Sequence, residues 1–122
     1  MIIRGIIIKG KQLGRAIGFP TANIFLAPWN VSDGTYGLLV EVEREKYFGI
    51  GVYLEKFSTF ESHILGFDRD IYGEEIFINP IVKIRENQKF SSLEELKEQI
   101  QKDQEFMEEW IEKSKEKGEL HL

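Results

Sequence analysis

Apolar and polar positions keep a period of two over most of this chain and change to a period near 3.6 at about residue 91. Residues 2–9 form a nearly continuous apolar run. Residues 36–43, YGLLVEVE, alternate, with Tyr36, Leu38, Val40 and Val42 on one side. Such patterns belong to β-strands. KYFGIGV (46–52), TFESHIL (59–65) and EEIFINPIVKI (74–84) read the same way, and the run IFLA that begins at Ile24 is strand-like. Turn signals separate these runs: Ser32-Asp33-Gly34, Asp68-Arg69-Asp70 and Tyr72-Gly73. Asn79-Pro80 interrupts the last one, and proline has no N–H for a ladder, which predicts a bulge or an edge. Beyond Ser91 the apolar residues Leu93, Leu96, Ile100, Met107, Trp110 and Ile111 fall on one face of a helix. Ser92 and Glu95 have capping-box spacing, and Gly118 can end a helix running over about 92–117. The pattern predicts a mainly β fold, a small antiparallel β-barrel over about 1–90 packed by one C-terminal α-helix.

Composition narrows the picture. The 122 residues suit one domain, 1–122, and neither an internal repeat nor a low-complexity linker is present. The absence of cysteine excludes disulfides, thiolate catalysis and a cysteine zinc site. Arg4, Gly5 and Lys9 break the apolar opening, which is far short of the ~20 residues that span a bilayer. It also lacks the layout of a signal peptide. A cytoplasmic protein without membrane attachment is expected. The net charge is −5, with four basic residues and no acid over 1–32, and ten acids against five lysines over 91–122. Nucleic-acid binding feeds on phosphate neutralisation and is poorly served by this balance. A small anion held by the basic N-terminal segment fits it better.

Two segments could carry chemistry. In GRAIGFPTAN (14–23) and just before it, Gly10, Gly14 and Gly18 alternate with Lys9, Lys11 and Arg15. Glycines let backbone approach an anion closely, and phosphate is the commonest one. Neither a Walker A motif nor G-x-G-x-x-G is present, so spacing alone leaves a structural turn open. Pro20 fixes φ, and Thr21 and Asn23 share one side of an extended segment. Two neutral oxygens beside phosphate suit Mg²⁺; alternatively both side chains bond their own backbone. In ESHILGF (61–67), alternation puts Glu61, His63 and Leu65 on one face and Ser62 and Ile64 on the other. Facing the barrel interior, Glu61 is a partly desolvated general base; facing outward, Glu61 and His63 are surface residues.

Taken in order, GRAIGFPTAN, GTYG, ESHIL, DIYG, IRENQKF and SLEELKEQIQKD resemble the riboflavin kinase (flavokinase) family over roughly residues 5–103. The resemblance implies a Greek-key β-barrel of six strands and ATP-dependent phosphorylation of the ribityl 5′-hydroxyl of riboflavin, giving FMN. It implies Glu61 as the catalytic base and Thr21 and Asn23 as ligands of Mg²⁺, or of another divalent ion such as Zn²⁺ or Mn²⁺. Gly10, Gly14 and Arg15 would cover the nucleotide phosphates together with Thr21, and Ile64, Gly66 and Tyr72 would meet its base and sugar. Arg85, Gln88 and Phe90 would contact the flavin, whose apolar ring needs an aromatic wall such as Phe90 or Trp110. ATP/ADP and riboflavin/FMN are the implied partners, with no nucleic acid and no membrane, and a monomer is expected.

The chain departs from the family pattern after Ile50-Gly51, where VYLEKFSTF forms a shorter spacer without proline, and at Gly66, where an acidic residue is usual. A silent flavin- or nucleotide-binding module of the same fold, or an unrelated β-barrel interaction domain, are the competing readings. FAD synthesis is not expected, because no fused adenylyltransferase segment is present.

Overall fold

The computed structural model describes residues 3–8, 22–25, 32–57, 59–65 and 73–118. The chain divides into two compact units, Met1–Asn87 and Gln88–Leu122. The first is an antiparallel curled sheet of strands β1 (Ile3–Ile8), β2 (Ala22–Phe25), β3 (Gly34–Val42), β4 (Glu45–Leu54), β5 (Thr59–Ile64) and β6 (Glu75–Arg85). They pair in the order β1-β2-β5-β4-β3-β6 and close into a barrel, β6 returning to β1. The second unit carries α1 (Leu93–Glu116).

Alternation decides what fills the barrel. Tyr36, Leu38, Val40 and Val42 of β3 are buried, as their spacing predicts, with Tyr53, Phe60, Ile64, Ile76 and Ile78 in the same cluster. Tyr53 stacks obliquely on Phe60 with ring centroids 5.0 Å apart, and the Tyr36 edge meets Phe60 at 6.2 Å. Packing this dense leaves no room for a side chain at Gly51. A Cβ there would stand 2.7 Å from Leu38 Cδ1 and 2.9 Å from Phe60 Cδ1. Among the described residues the interior is thus packed mainly by apolar side chains, with the Tyr53 and Ser62 hydroxyls buried among them.

Three local features bear on the sequence expectation. β3 and β4 are joined by Glu43 and Arg44 at φ 52° and 67°, the left-handed conformations of a two-residue hairpin turn usually supplied by Asn or Gly. β6 pairs with β1 over Glu75–Ile78 and with β3 over Ile76–Arg85, so Pro80 has its ladder partner, Leu38, on the β3 side. Register shifts between Thr35/Tyr36 and Gly37/Leu38 accommodate the proline, as the bulge reading expects. VYLEKFSTF proves mostly strand: β4 runs to Leu54, a 3-10 turn covers Glu55–Phe57, and Leu54 pairs with Thr59 at the start of β5. The turn signal at Asp68-Arg69-Asp70 lies outside the described residues, as does Tyr72, whereas Gly73 takes φ 83°.

In the second unit, Ser92 caps α1 by accepting a hydrogen bond from the Glu95 amide at 3.2 Å. The reciprocal bond falls one residue earlier than a capping box predicts, from the Ser91 amide to Glu95 Oε2 at 3.1 Å. Hydrogen bonds from Ser91, from its side chain first and its amide second, hold the Glu95 carboxyl below its ordinary range. Lys117 closes the helix and Gly118 follows at φ 69°. Asp103, Met107 and Ser114 are its buried residues, one to two turns apart, and Asp103 accepts a hydrogen bond from Gln99 at 3.0 Å.

Candidate active site

β5 presents its two faces very differently. Phe60 and Ser62 are fully buried and Ile64 is 4% exposed, whereas Glu61 is exposed and His63 half-buried. The alternation expected within ESHIL thus holds, and its orientation is the outward one. Glu61 does not look into the barrel, because the opposite face of β5 fills the core. Ile64 belongs to that core.

Strand register gives the outward position of Glu61 its neighbours. Asn23 on β2 and Glu61 on β5 are direct cross-strand partners, and directly paired positions lie side by side on one face of a sheet. The same row continues through Val52 on β4, Thr35 on β3 and Arg85 on β6. Neighbouring strands lie ~4.8 Å apart, so Glu61 and Asn23 are one strand apart and Glu61 and Arg85 about 14 Å apart along the surface. One row thus holds the expected base, an expected metal ligand and an expected flavin contact. These three come from segments far apart in the chain.

The Arg85 end of this row is fastened by polar contacts between distant residues. Thr35 is fully buried, and its hydroxyl donates to Asn87 Oδ1 at 3.1 Å while Asn87 Nδ2 donates to the Tyr53 carbonyl at 3.0 Å. Lys83 Nζ donates to Glu86 Oε1 at 2.7 Å and to Ser32 Oγ at 3.3 Å, and the Glu86 carboxylate raises the Lys83 ammonium above its ordinary range. Lys83 also lies 6.0 Å from the Tyr36 ring centroid, and Tyr36 donates to the Ser32 carbonyl at 2.8 Å. Asp33 Oδ1 accepts from the Glu55 amide at 2.9 Å. Together these contacts tie the Ser32–Gly34 turn to the ends of β4 and β6.

Gly10, Gly14, Arg15, Thr21, Gly66 and Tyr72 lie outside the described residues. Gln88 is exposed and Phe90 half-buried, both in the second unit. Thr35, Lys83 and Asn87 escaped sequence reasoning. Their partners stand 34 to 52 positions away, and no local pattern announces contacts of that range. Asn87 was nonetheless in view, two residues after Arg85 in IRENQKF.

The expected donors for a divalent cation are a threonine hydroxyl and an asparagine amide. That neutral set fits Mg²⁺, which is commonly held by few protein oxygens together with nucleotide phosphates and water. The carboxylate position adjoining Asn23 in the ladder is compatible with the same ion. Among the described residues no group of three or more His, Cys, Asp or Glu could hold a metal, and no described helix is long and apolar enough to cross a membrane.

Comparison with known proteins decides the family. The Flavokinase family model, riboflavin kinase, matches residues 1–111. The chain belongs to the riboflavin kinase family. The RNA-binding riboflavin kinase RibR of Bacillus subtilis is 44% identical over 111 residues, which cover 84% of this chain and 47% of RibR. The bifunctional riboflavin kinase/FMN adenylyltransferase of the same organism is 36% identical over 115 residues, 83% of this chain and 35% of that protein. Both relatives are more than twice as long as the matched segment. In three dimensions the chain is similar to riboflavin kinase from Trypanosoma brucei, with a TM-score of 0.67 and 30% identity over 93% of this chain and 81% of that one. A mainly β, antiparallel, curled sheet followed by a C-terminal helix is therefore the riboflavin kinase architecture in this chain as well.

Proposed function

We propose that this chain transfers the γ-phosphate of ATP to the 5′-hydroxyl of riboflavin, giving FMN and ADP, on the outer face of a six-stranded Greek-key barrel. The observation that carries this reading is the Asn23–Glu61 cross-strand pair. A base and a metal-side ligand are useful to phosphoryl transfer only when close together, and here a single register sets them on adjacent strands. A shift of one residue would move one of them to the core face.

Phosphoryl transfer asks little covalent chemistry of a protein; it asks for alignment and for charge neutralisation. Arg85 contacts the flavin so that its ribityl chain runs along the row toward Glu61. The 5′-oxygen attacks Pγ, the bond from Pγ to the β–γ bridging oxygen breaks, and ADP departs with that electron pair. Glu61 orients the hydroxyl and accepts its proton as the new O–P bond forms. Thr21 and Asn23 would hold Mg²⁺ with the nucleotide phosphates, the ion supplying neutralisation of the charge on their oxygens. The glycine segment with Gly10, Gly14 and Arg15 covers those phosphates. Since Glu61 is exposed, its desolvation comes from the bound substrates themselves. Water exclusion therefore depends on both being in place.

The test is incubation of the purified chain with riboflavin and Mg·ATP, with separation of flavin products. FMN formation that depends on ATP and is abolished by chelator supports the reading. Riboflavin recovered unchanged, with nucleotide bound normally, would mean a silent binding module. The name of the RibR relative makes RNA the second ligand to assay. The acidic balance of this chain predicts no general RNA affinity at physiological salt.

A further inference from the structure

We infer that Asn87 is a positioning residue for the flavin end of the site, acting through a clamp with Thr35 and the Tyr53 carbonyl; the inference rests on the riboflavin kinase reading above. The Asn87 carboxamide uses both of its ends. Its oxygen accepts from the Thr35 hydroxyl at 3.1 Å and its nitrogen donates to the Tyr53 carbonyl at 3.0 Å. Those partners belong to β3 and β4, whereas Asn87 follows β6 by two residues. In the strand order β4-β3-β6, the side chain therefore reaches past β3 to β4.

Two features make this more than a surface contact. Thr35 is fully buried, so its hydroxyl has no water to replace a lost partner, and an unpaired buried hydroxyl is costly. Thr35 is also the direct cross-strand partner of Arg85 on one side and of Val52 on the other, and Val52 in turn pairs with Glu61. The clamp thus seizes the proposed catalytic row at the position next to the flavin contact, two strands from the base. It acts where β6 needs holding, for the register of β6 against β3 shifts between Thr35 and Tyr36. A strand that carries a bulge beside its last pair is weakly specified by its ladder alone. Asn87 supplies the missing constraint and sets where Arg85 stands relative to Glu61. Neither Thr35 nor Asn87 contacts the reacting atoms in this scheme.

The chemistry of the amide dictates the variants. Asn87→Asp keeps the acceptor, loses the donor and sets a negative charge against a carbonyl oxygen; Asn87→Ala loses both bonds. Thr35→Val removes the donated hydrogen at constant shape, and Thr35→Ser retains it. The experiment measures kcat, the KM for riboflavin and the KM for Mg·ATP for each variant, with thermal melting alongside. Asn87→Ala, Asn87→Asp and Thr35→Val should each raise the riboflavin KM roughly tenfold, the scale of a lost buried hydrogen bond. The KM for Mg·ATP should stay within about twofold of the parent. Thr35→Ser should restore the riboflavin KM, and Thr35→Val with Asn87→Ala should add little to either alone. A riboflavin KM unchanged in Asn87→Asp and Thr35→Val, or a parallel rise in both KM values, overturns the inference and leaves the kinase reading standing. If Asn87→Ala does not fold, the Thr35→Val and Thr35→Ser pair decides alone. A parent chain that neither binds nor phosphorylates riboflavin overturns the functional reading and this inference with it.

Discussion

At the scale of single residues, Glu61 is the proposed base, and its setting specifies how its loss should show. It sits on the outer face of β5 between buried Phe60 and Ser62, so Glu61→Gln changes neither core packing nor strand alternation. The variant should bind riboflavin and Mg·ADP as the parent does and turn over ~10²- to 10⁴-fold more slowly, the usual contribution of a general base. Flavin fluorescence titration and steady-state turnover separate the two effects. Equal turnover with binding intact would remove Glu61 from the mechanism. The residue level is also where sequence reading served best. The period of ESHIL showed which residues share a face, but no period says which face is the inside. Only the pairing of β5 with β4 and β2, which buries Phe60, Ser62 and Ile64, decides that. Thr35 and Asn87 were illegible for a different reason: their hydrogen bonds join positions 52 apart, and each side chain looks unremarkable in its own segment.

At the scale of elements, strands and helix followed from period and caps, and the misses lie where tertiary pairing overrides local preference. Glu43 and Arg44 adopt positive φ although neither residue favours it, because Val42 pairs with Glu45 and the two-residue link leaves no other path. The left-handed conformation costs a non-glycine residue about 1–2 kcal/mol. Glu43→Asn with Arg44→Gly should therefore stabilise the barrel by roughly 1 kcal/mol, a rise of several degrees in melting temperature. Calorimetry showing no rise would mean that the native pair is held by contacts which offset its strain. The start of α1 offers a test by pH. The Glu95 carboxyl is held below its ordinary 4.5 by hydrogen bonds from Ser91, from its side chain first and its amide second. Its folded-state pKa is thus the lower one, so the stabilisation is fully present above the unfolded value and is lost as pH falls through the folded value. Hydrogen exchange at the first turn of α1 should accelerate on acidification below about pH 4.5 relative to the rest of the helix. Glu95→Gln should abolish that difference. An unchanged acid response in the variant would assign the fraying to another group.

At the scale of the whole chain, family and architecture were legible because six short motifs in one order are far more specific than any one of them. The placement of the proposed site was not legible, since it depends on the strand order β2-β5-β4-β3-β6. Tyr36, Leu38, Tyr53 and Phe60 belong to the core cluster. Strand order sets the positions of Asn23, Glu61 and Arg85 in one cross-strand row although 62 positions separate the first from the last. The basic N-terminal segment lies in the same part of the sequence as the proposed phosphate ligands, while the acidic charge is concentrated over 91–122. The most direct test follows the phosphate itself: ATP labelled at the γ-position, incubated with riboflavin, Mg²⁺ and the purified chain. The predicted result is label in FMN in a one-to-one ratio to ADP formed, lost with chelator and strongly slowed in Glu61→Gln. Label remaining in ATP, or appearing only as free phosphate while riboflavin is unchanged, would contradict a riboflavin kinase site on this barrel.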